Sequence, residues 1–310
     1  MTANEKRFPR VILGTCPIPW DENGRWQAAL FRRTVRHLVQ TLTPRLYIFG
    51  TAGEGYAVTE RQYRAITRAF VDEMALCGGT PMVGIIHLSL AVILERIAFA
   101  HRLGVREFQI SLPPWGALDN VELERFFAAV CGQFPDSRFL HYNLGRSRRM
   151  LTGADYALLA ARHPNLVAIK MGGEDVAALN DVAGGAPSLR CFFTEFAFIR
   201  LRHSADCGLL GALGVCAPTL ARRLFAATEP EMWALEPVFR RIHHSVKTAL
   251  AGTAHMDGAY DKMYVKLHFP AFPLRLLPPY SSATDEQFTQ FRVGCTEALS
   301  SFPPADLSLL

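Results

Sequence analysis

The feature that most constrains the fold is an alternation of short apolar segments with longer amphipathic ones, repeated along most of the chain. The short segments are bounded by turn residues, as buried strands are, and the stretches between them carry apolar residues at helical spacing. Strands that alternate with helices in this way favour a parallel sheet. The predicted strands cover residues 11–16, 46–49, 82–86, 107–112, 138–142, 166–170, 190–194 and 209–216.

Eight strand–helix alternations predict an α/β fold of the closed (β/α)8 type, the TIM barrel. A doubly wound open sheet is the alternative, but no G-x-G-x-x-G follows the first strand, so the dinucleotide-binding fingerprint is missing. No Pro- or Gly-rich linker divides the chain. We therefore expect one domain over residues 1–310, with the barrel in residues 8–228 and a C-terminal helical extension in residues 229–310.

Chemistry in such a barrel sits at the carboxyl ends of the strands. The predicted strand ends place a lysine, a tyrosine, a threonine and a Gly-containing turn on one face of the barrel. These positions are Thr15-Cys16, residues 50–54, Pro113-Pro114-Trp115, Tyr142-Asn143, Lys170, Thr194-Glu195 and Cys216-Ala217.

Lys170 stands out because lysine is rare in this chain. Of 33 basic residues only five are lysines, and between Lys6 and Lys247 every other basic side chain is arginine. Lys170 ends an apolar run, residues 166–169. A buried lysine can lose its proton and attack a carbonyl to form a Schiff base, which an arginine cannot do. The alternative is a lysine that ends a strand and extends its ammonium to solvent.

Several segments match one family in order along the chain. GTAGEGYAVTE (residues 50–60) resembles a G-T-T-G-E…L-T-x-E loop, HYNLGR (141–146) a Y-N-x-P-x-R segment, and HPNLVAIKMGG (163–173) a P-N-I-V-G-I-K strand. CPIPWDENG (16–24) and LLPPYSSATDEQF (276–288) add weaker matches. Together they resemble the pyruvate-dependent class I aldolase and lyase family of dihydrodipicolinate synthase and N-acetylneuraminate lyase. The most specific part is Tyr142, 28 positions before Lys170.

The resemblance implies a role for each matching residue. Lys170 would form an imine with the keto group of pyruvate or another 2-keto acid, and Tyr142 would carry protons to and from that centre. Thr51 would relay protons to Tyr142, and the backbone N–H groups of Ala52 and Gly53 would hold the substrate carboxylate. The resemblance also implies an aldehyde as the second substrate, a homotetramer or homodimer, and no metal or organic cofactor.

Departures from the family pattern bear on the substrate. Ala52 replaces a second threonine, and Pro113-Pro114-Trp115 replaces a tyrosine pair, which counts against authentic 4-hydroxy-tetrahydrodipicolinate synthase. The Pro-Pro-Trp segment is similar to the aromatic hydratase-aldolases of the family. Trp115 would then stack on an aromatic aldehyde, or else pack at the barrel rim.

Four further positions carry open interpretations. Arg146 would hold a second carboxylate bidentately, or be a surface arginine. Glu195 would contact a substrate hydroxyl, or be solvated. Cys216 stands where the family places a backbone carbonyl near the lysine, so its thiol is incidental in that interpretation. Glu54 is expected to bond the backbone of its own loop and to take no part in catalysis.

Composition narrows the classes of partner. The net charge is +5, but the arginines are scattered along predicted helix faces, which indicates a solvated surface and not a nucleic-acid interface. Seven cysteines with no C-x-x-C favour a reducing cytoplasm, and no apolar run reaches the ~18 residues of a membrane span. The N-terminal residues lack the apolar core of a signal peptide.

Three functional hypotheses follow. The first is a cytoplasmic Schiff-base lyase centred on Lys170 and Tyr142. The second is a barrel that binds a keto acid or sugar acid without catalysis, since one fold hosts both kinds of protein. The third is a metal-dependent class II aldolase, for which the sequence offers no ligand spacing among His, Cys, Asp and Glu.

Overall fold

The strands pair side by side in the same order as they occur in the chain. The computed structural model describes residues 5–301, and in it eight parallel strands follow one another from β1 to β8. With helices between them and a helical C-terminal extension, this is the predicted (β/α)8 fold, and the prediction is confirmed. The strands are β1 (Gly14–Thr15), β2 (Arg45–Ile48), β3 (Thr80–Ile85), β4 (Glu107–Ile110), β5 (Arg138–Asn143), β6 (Leu166–Met171), β7 (Arg190–Phe193) and β8 (Gly208–Leu209).

The α-helices of the described residues lie between the strands and in the C-terminal extension, where the alternation predicts helices, but two of them were not predicted individually, α7 and the short helix α8. Those that follow the strands are α1 (Ala28–Thr41), α2 (Glu60–Leu76), α3 (Leu90–Arg102), α4 (Asn120–Gln133), α5 (Gly153–Arg162), α6 (Val176–Gly185), α7 (Glu195–Leu201), α8 (Leu213–Cys216) and α9 (Pro218–Ala226). The extension consists of α10 (Glu229–Ala249), α11 (Asp257–His268) and α12 (Asp285–Ser300).

Two helices begin at threonine side chains that cap them. The Thr59 side chain accepts the backbone N–H of Gln62 at the start of α2, and the Gln62 side chain accepts the Thr59 N–H in return. Thr152 and Asp155 form the same reciprocal capping box at the start of α5. Each box satisfies two backbone donors that a helix end otherwise leaves free.

The prediction of an eighth strand over residues 209–216 is wrong in its extent. Only Gly208–Leu209 is strand, and Leu213–Cys216 forms the short helix α8. The run is apolar throughout and buried except at Ala212, and a continuous apolar run fits a buried strand and a buried helix equally well. Cys216 therefore ends a helical turn and not a strand.

The fold divides into two compact units. The first contains the described residues through Leu13 together with Pro81–Leu210, and the second contains Gly14–Thr80 and the chain from Gly211 through Ser301. The first unit carries β3, apart from its first residue Thr80, and β4 to β8, and the second carries β1, β2 and the extension.

In the first unit, the N-terminal segment is fastened to the amino ends of the strands. The Arg7 guanidinium donates to the carbonyl oxygens of His163, Leu166 and Ala160 at 2.9 to 3.1 Å. The next residue, Phe8, packs edge-on against Phe192 with 5.7 Å between ring centroids. The end of the sheet opposite to Lys170 and Tyr142 is therefore filled by packed side chains.

In the second unit, α10 and α12 pack along each other and α11 packs on α8. Within residues 5–301, none of the helices combines the length and the apolar character that a bilayer span requires.

Helices α5 and α6 approach closely at two glycines. A Cβ on Gly153 would lie 2.2 Å from the carbonyl oxygen of Asp181, and a Cβ on Gly185 would lie 2.3 Å from the Cα of Gly153. Both obstacles are backbone atoms, which cannot rotate away as a side chain can. The helices would have to separate to accept a side chain at either position.

We therefore expect Gly153→Ala to destabilise the protein by about 1–3 kcal/mol, the usual cost of overpacking. The matched control is Gly132→Ala in α4, where the added Cβ meets open space and the better helix propensity of alanine stabilises by up to about 1 kcal/mol. Urea unfolding of the two variants measures the difference. Equal midpoints would contradict the close approach of α5 and α6.

Candidate active site

Lys170 and Tyr142 are direct neighbours across two strands. They are register partners in the parallel pair of β5 and β6, so their side chains leave the sheet on the same face. The Lys170 ammonium lies 4.0 Å from the centroid of the Tyr142 ring, and Lys170 is only 7% exposed. The alternative of a solvated lysine at a strand end is therefore wrong.

The register that makes this pair depends on an irregularity in β6. Phe139 pairs with Leu166 but Leu140 pairs with Ala168, so Val167 is an extra residue without a partner on β5. One extra residue in a strand changes which face of the sheet the following side chains point to, relative to the partner strand. Lys170 faces the Tyr142 side because of this bulge.

The residue next to Tyr142 shows which face this is. His141 points the opposite way, as expected for strand neighbours, and its Nδ1 lies 2.7 Å from the Tyr156 hydroxyl on α5. Its ring also packs against Phe127 on α4, at 5.3 Å between centroids. His141 thus faces the helices, and Tyr142 and Lys170 face the other side, which is the interior in a (β/α)8 fold.

The pair combines two chemical functions in a shielded place. A primary amine is a nucleophile toward carbonyl carbon when it is neutral, and a phenol can donate and accept a proton. The Tyr142 ring stabilises the charged amine by a cation–π contact. On the other side, Lys170 pairs in register with Phe192 of β7, which places an apolar residue beside it on that strand.

Glu195 is inside the protein and not solvated. It is the first residue of α7, directly after β7, and is 4% exposed. Nearby, Gly172 allows close packing, since a Cβ there would lie 3.3 Å from the Thr194 methyl carbon. The interpretation of Glu195 as a solvated residue is wrong, and its contact with a substrate hydroxyl stays a prediction.

The other predicted residues of the first unit lie at the surface. Trp115 is 83% exposed, and Arg146 is exposed on a 3-10 turn, Gly145–Ser147. The nearby Arg149 is already used structurally, because it donates to the Leu118 carbonyl at 2.7 Å and pairs with Asp155 at 3.0 Å. These contacts of Arg149 join the start of α5 to the segment before α4.

In the second unit, residues 50–55 form a tight buried turn that carries Thr51, Ala52 and Gly53. Thr51 and Ala52 are buried, and the N–H of Glu54 is bonded to the Thr51 carbonyl oxygen at 3.2 Å. Gly53 has to be glycine, since a Cβ would lie 2.6 Å from the backbone nitrogen of Phe49. The turn is thus held in one conformation by its own backbone.

Glu54 does not bond its own loop with its side chain, contrary to expectation. One carboxylate oxygen accepts the Trp20 indole N–H at 2.9 Å and contacts the Lys262 ammonium at 2.6 Å. The other accepts the backbone N–H of Leu277 at 2.6 Å. Sequence reasoning missed Trp20 and Lys262 here, although the rarity of lysine was a signal for Lys262.

Cys216 lies at the end of α8 with its thiol against the extension. Its Sγ is 3.6 Å from the Sγ of Cys295 in α12, and both residues are buried. Its carbonyl oxygen accepts a hydrogen bond from the ring Nε2 of His268 in α11, at 3.1 Å. Both polar groups of Cys216 therefore contact the extension.

Comparison with known proteins gives a consistent family. Residues 9–192 match the model of the dihydrodipicolinate synthetase family. The 4-hydroxy-tetrahydrodipicolinate synthase of Thermus thermophilus is 30% identical over 167 residues, 53% of this chain and 54% of that one. The chain thus spans about half the length of the curated relatives it matches.

Solved structures extend the likeness to nearly the whole chain. YagE from E. coli K12, a prophage protein of the dihydrodipicolinic acid synthase family in complex with pyruvate, superposes with a TM-score of 0.83 at 16% identity, covering 94% of this chain and 98% of that one. N-acetylneuraminate lyase from Proteus mirabilis has a TM-score of 0.80 at 18% identity, covering 94% and 98%. At such identities the likeness shows the fold alone.

The burial of His141 on the helix-facing side of β5 can be tested by the pH dependence of stability. Burial lowers the pKa of the His141 imidazole from 6.5 to about 3. Between pH 6.5 and about pH 3 the imidazole is protonated in the unfolded chain but neutral in the folded protein. The free energy of unfolding therefore decreases as the pH falls through this range. We expect His141→Asn, which keeps a polar group for Tyr156 but cannot titrate, to remove a loss on the order of 4 kcal/mol between the two pH values.

Urea unfolding at a series of pH values measures this loss. The exposed His244→Asn variant is the control and should keep the acid sensitivity of the unmodified protein. If His141→Asn and the unmodified protein lose stability in parallel on acidification, His141 is not buried against α4 and α5.

Proposed function

Because this chain belongs to the dihydrodipicolinate synthetase family, we propose that it is a class I aldolase or lyase that acts through a lysine imine. It would make or break a carbon–carbon bond next to pyruvate or another 2-keto acid. The observation that carries the proposal is the buried Lys170 ammonium at 4.0 Å from the Tyr142 ring, on the face of the sheet away from the helices.

The chemistry follows from these two side chains. The Lys170 amine, once it has lost its proton, attacks the keto carbon, and water leaves as the imine forms. The protonated imine withdraws electrons from the neighbouring carbon, so a carbanion there is stabilised and a bond to an aldehyde carbon forms or breaks. The Tyr142 phenol exchanges protons with the reacting oxygen atoms during these steps.

For the turn in the second unit we keep the roles implied by the family resemblance. The N–H groups of Ala52 and Gly53 would hold the substrate carboxylate, and the Thr51 hydroxyl would relay protons. The tight backbone of residues 50–55 supports this role, because fixed N–H groups bind an anion without first losing conformational freedom. Ala52 offers no hydroxyl for a further contact.

Among the reactions of this family we favour an aldolase or hydratase-aldolase over authentic 4-hydroxy-tetrahydrodipicolinate synthase. Pro113-Pro114-Trp115 stands in place of the tyrosine pair of the synthases. Trp115, Arg146 and Glu195 are the residues we propose to contact the aldehyde or its substituents. The high exposure of Trp115 leaves its ring face open to a planar partner.

We also propose a cytoplasmic homotetramer or homodimer. All seven cysteines are free thiols, which suits a reducing compartment. Sedimentation of the purified protein measures the oligomeric state.

Borohydride trapping with pyruvate tests the imine. We expect the unmodified protein to gain the mass of one reduced pyruvyl group and Lys170→Met to gain none, because only an imine is reduced to a stable amine. Intact mass spectrometry gives the result.

The control is Lys247→Met, which removes an exposed lysine and should leave the mass gain unchanged. No gain in the unmodified protein would favour the non-catalytic binding barrel. A gain that persists in Lys170→Met would place the imine on another lysine.

Replacement of Tyr142 by phenylalanine separates imine formation from turnover. Tyr142→Phe keeps the ring over the ammonium but removes the hydroxyl, so we expect trapping to continue while cleavage of aldol substrates slows by about 10²–10⁴-fold. Release of pyruvate from a panel of aliphatic and aromatic aldol adducts measures turnover. Tyr260→Phe in α11 is the control, and unchanged turnover in Tyr142→Phe would remove Tyr142 from the mechanism.

A further inference from the structure

The turn of residues 50–55 is also in contact with a second buried lysine, Lys262, through the side chain of Glu54. Glu54 lies near the end of this turn in a left-handed backbone conformation, with a φ of 56°, and its side chain is completely buried. The donors to that carboxylate come from three separate segments. They are Trp20 after β1, Lys262 in α11, and Leu277 in the loop between α11 and α12.

The Nζ atom of Lys262 links the turn to the loop that follows α11. It contacts Glu54 Oε1 at 2.6 Å and also donates a hydrogen bond to the carbonyl oxygen of Arg275. The side chain has no exposed surface. Burial lowers the pKa of its ammonium to about 8, although the Glu54 carboxylate opposes this shift.

A buried ion pair of this kind is an unusual way to gain stability. Removing two charges from water costs several kcal/mol per ion, and well-packed apolar side chains often do as well or better. An ion pair does define geometry, because a short charged contact fixes distance and direction where apolar packing tolerates sliding. A role in positioning therefore explains the pair better than a role in stability.

Helix α11 also packs directly on the turn. A Cβ built on Gly258 would lie 3.4 Å from the Ala52 carbonyl oxygen and 3.6 Å from the Glu54 Cγ. A little beyond the turn, Tyr56 meets Tyr280 of the loop after α11 edge-on, at 5.3 Å between ring centroids. The extension thus touches the backbone that carries the N–H groups of Ala52 and Gly53.

We propose that Lys262 is a positioning residue, which acts through Glu54 to hold residues 51–53 in the arrangement that binds the substrate carboxylate. The inference rests on the proposed function, since it assigns a device to the same carboxylate-binding turn. Lys262 does not touch the reacting atoms. It sets the direction of the N–H groups that do the binding.

The test compares four variants, Lys262→Met, Glu54→Gln, the double variant and Lys266→Met. Lys266 is the matched control, because it lies one turn further along α11 and also ties the helix to the following loop, with 3.2 Å from its Nζ to the Phe272 carbonyl oxygen. Two quantities are measured for each. One is the thermal midpoint, and the other is the pyruvate concentration at which borohydride trapping is half-maximal.

We expect Lys262→Met to raise the half-maximal pyruvate concentration by about tenfold or more, with the trapped fraction at saturation unchanged. Glu54→Gln should shift it in the same direction. Lys266→Met should leave it within about twofold of the unmodified protein. Weaker binding without loss of imine formation is what a misplaced carboxylate turn predicts.

The double variant separates positioning from charge balance. It leaves no unpaired charge in the interior, so its thermal midpoint should recover relative to the single variants. Its pyruvate affinity should stay low, because neither methionine nor glutamine bridges the turn to the Arg275 carbonyl. If affinity recovers together with the midpoint, the pair is only structural and the proposal is wrong.

The remaining outcomes are also decisive. Wild-type affinity in Lys262→Met below its thermal midpoint would overturn the positioning role while leaving the lyase proposal intact. Absence of trapping in the unmodified protein would overturn the lyase proposal, and this one with it. If Lys262→Met does not fold, Glu54→Gln and the double variant carry the same comparison.

Discussion

The pairing of β5 with β6 is the constraint on which the candidate chemistry depends. Each strand alternates its side chains between the helices and the interior, so the register of the pair decides which residues meet. Tyr142 and Lys170 meet because they are partners in that register, while His141 is committed to Tyr156 on the other face. A nucleophile and a proton carrier are placed together by backbone hydrogen bonds and not by a flexible loop.

The chain uses its two kinds of basic side chain for different tasks. Arg7 spreads its planar fork over three carbonyl oxygens, which suits a group that stays charged and makes several bonds at once. Lys170 and Lys262 are compact ammonium groups buried in the interior. One lies over a phenol ring with an apolar strand partner beside it, and the other lies on a carboxylate.

Most of the fold could be predicted from the sequence because the spacing of apolar residues within a short segment indicates a strand or a helix. Strand positions and most helix positions follow from apolar spacing, and the facing of His141 follows from the alternation of side chains along a strand. The short helix α8 was missed because a buried apolar run has no period to read. The partners of Glu54 were missed for another reason, since Leu277 lies 223 positions away and no local pattern encodes such a contact.

The bulge at Val167 has a consequence for how this segment can vary. The carbonyl of Leu166 is fastened by Arg7 on one side of the bulge, and Lys170 pairs with Tyr142 on the other. Whether the amine faces the barrel interior or the helices therefore depends on whether the number of residues between Leu166 and Lys170 is odd or even. Gaining or losing one residue would turn the amine into the helix layer, whereas a change of two would keep its facing and move it ~6.6 Å along the strand. Related chains that differ in length here are thus expected to differ by an even number, or to carry a second bulge that restores the facing.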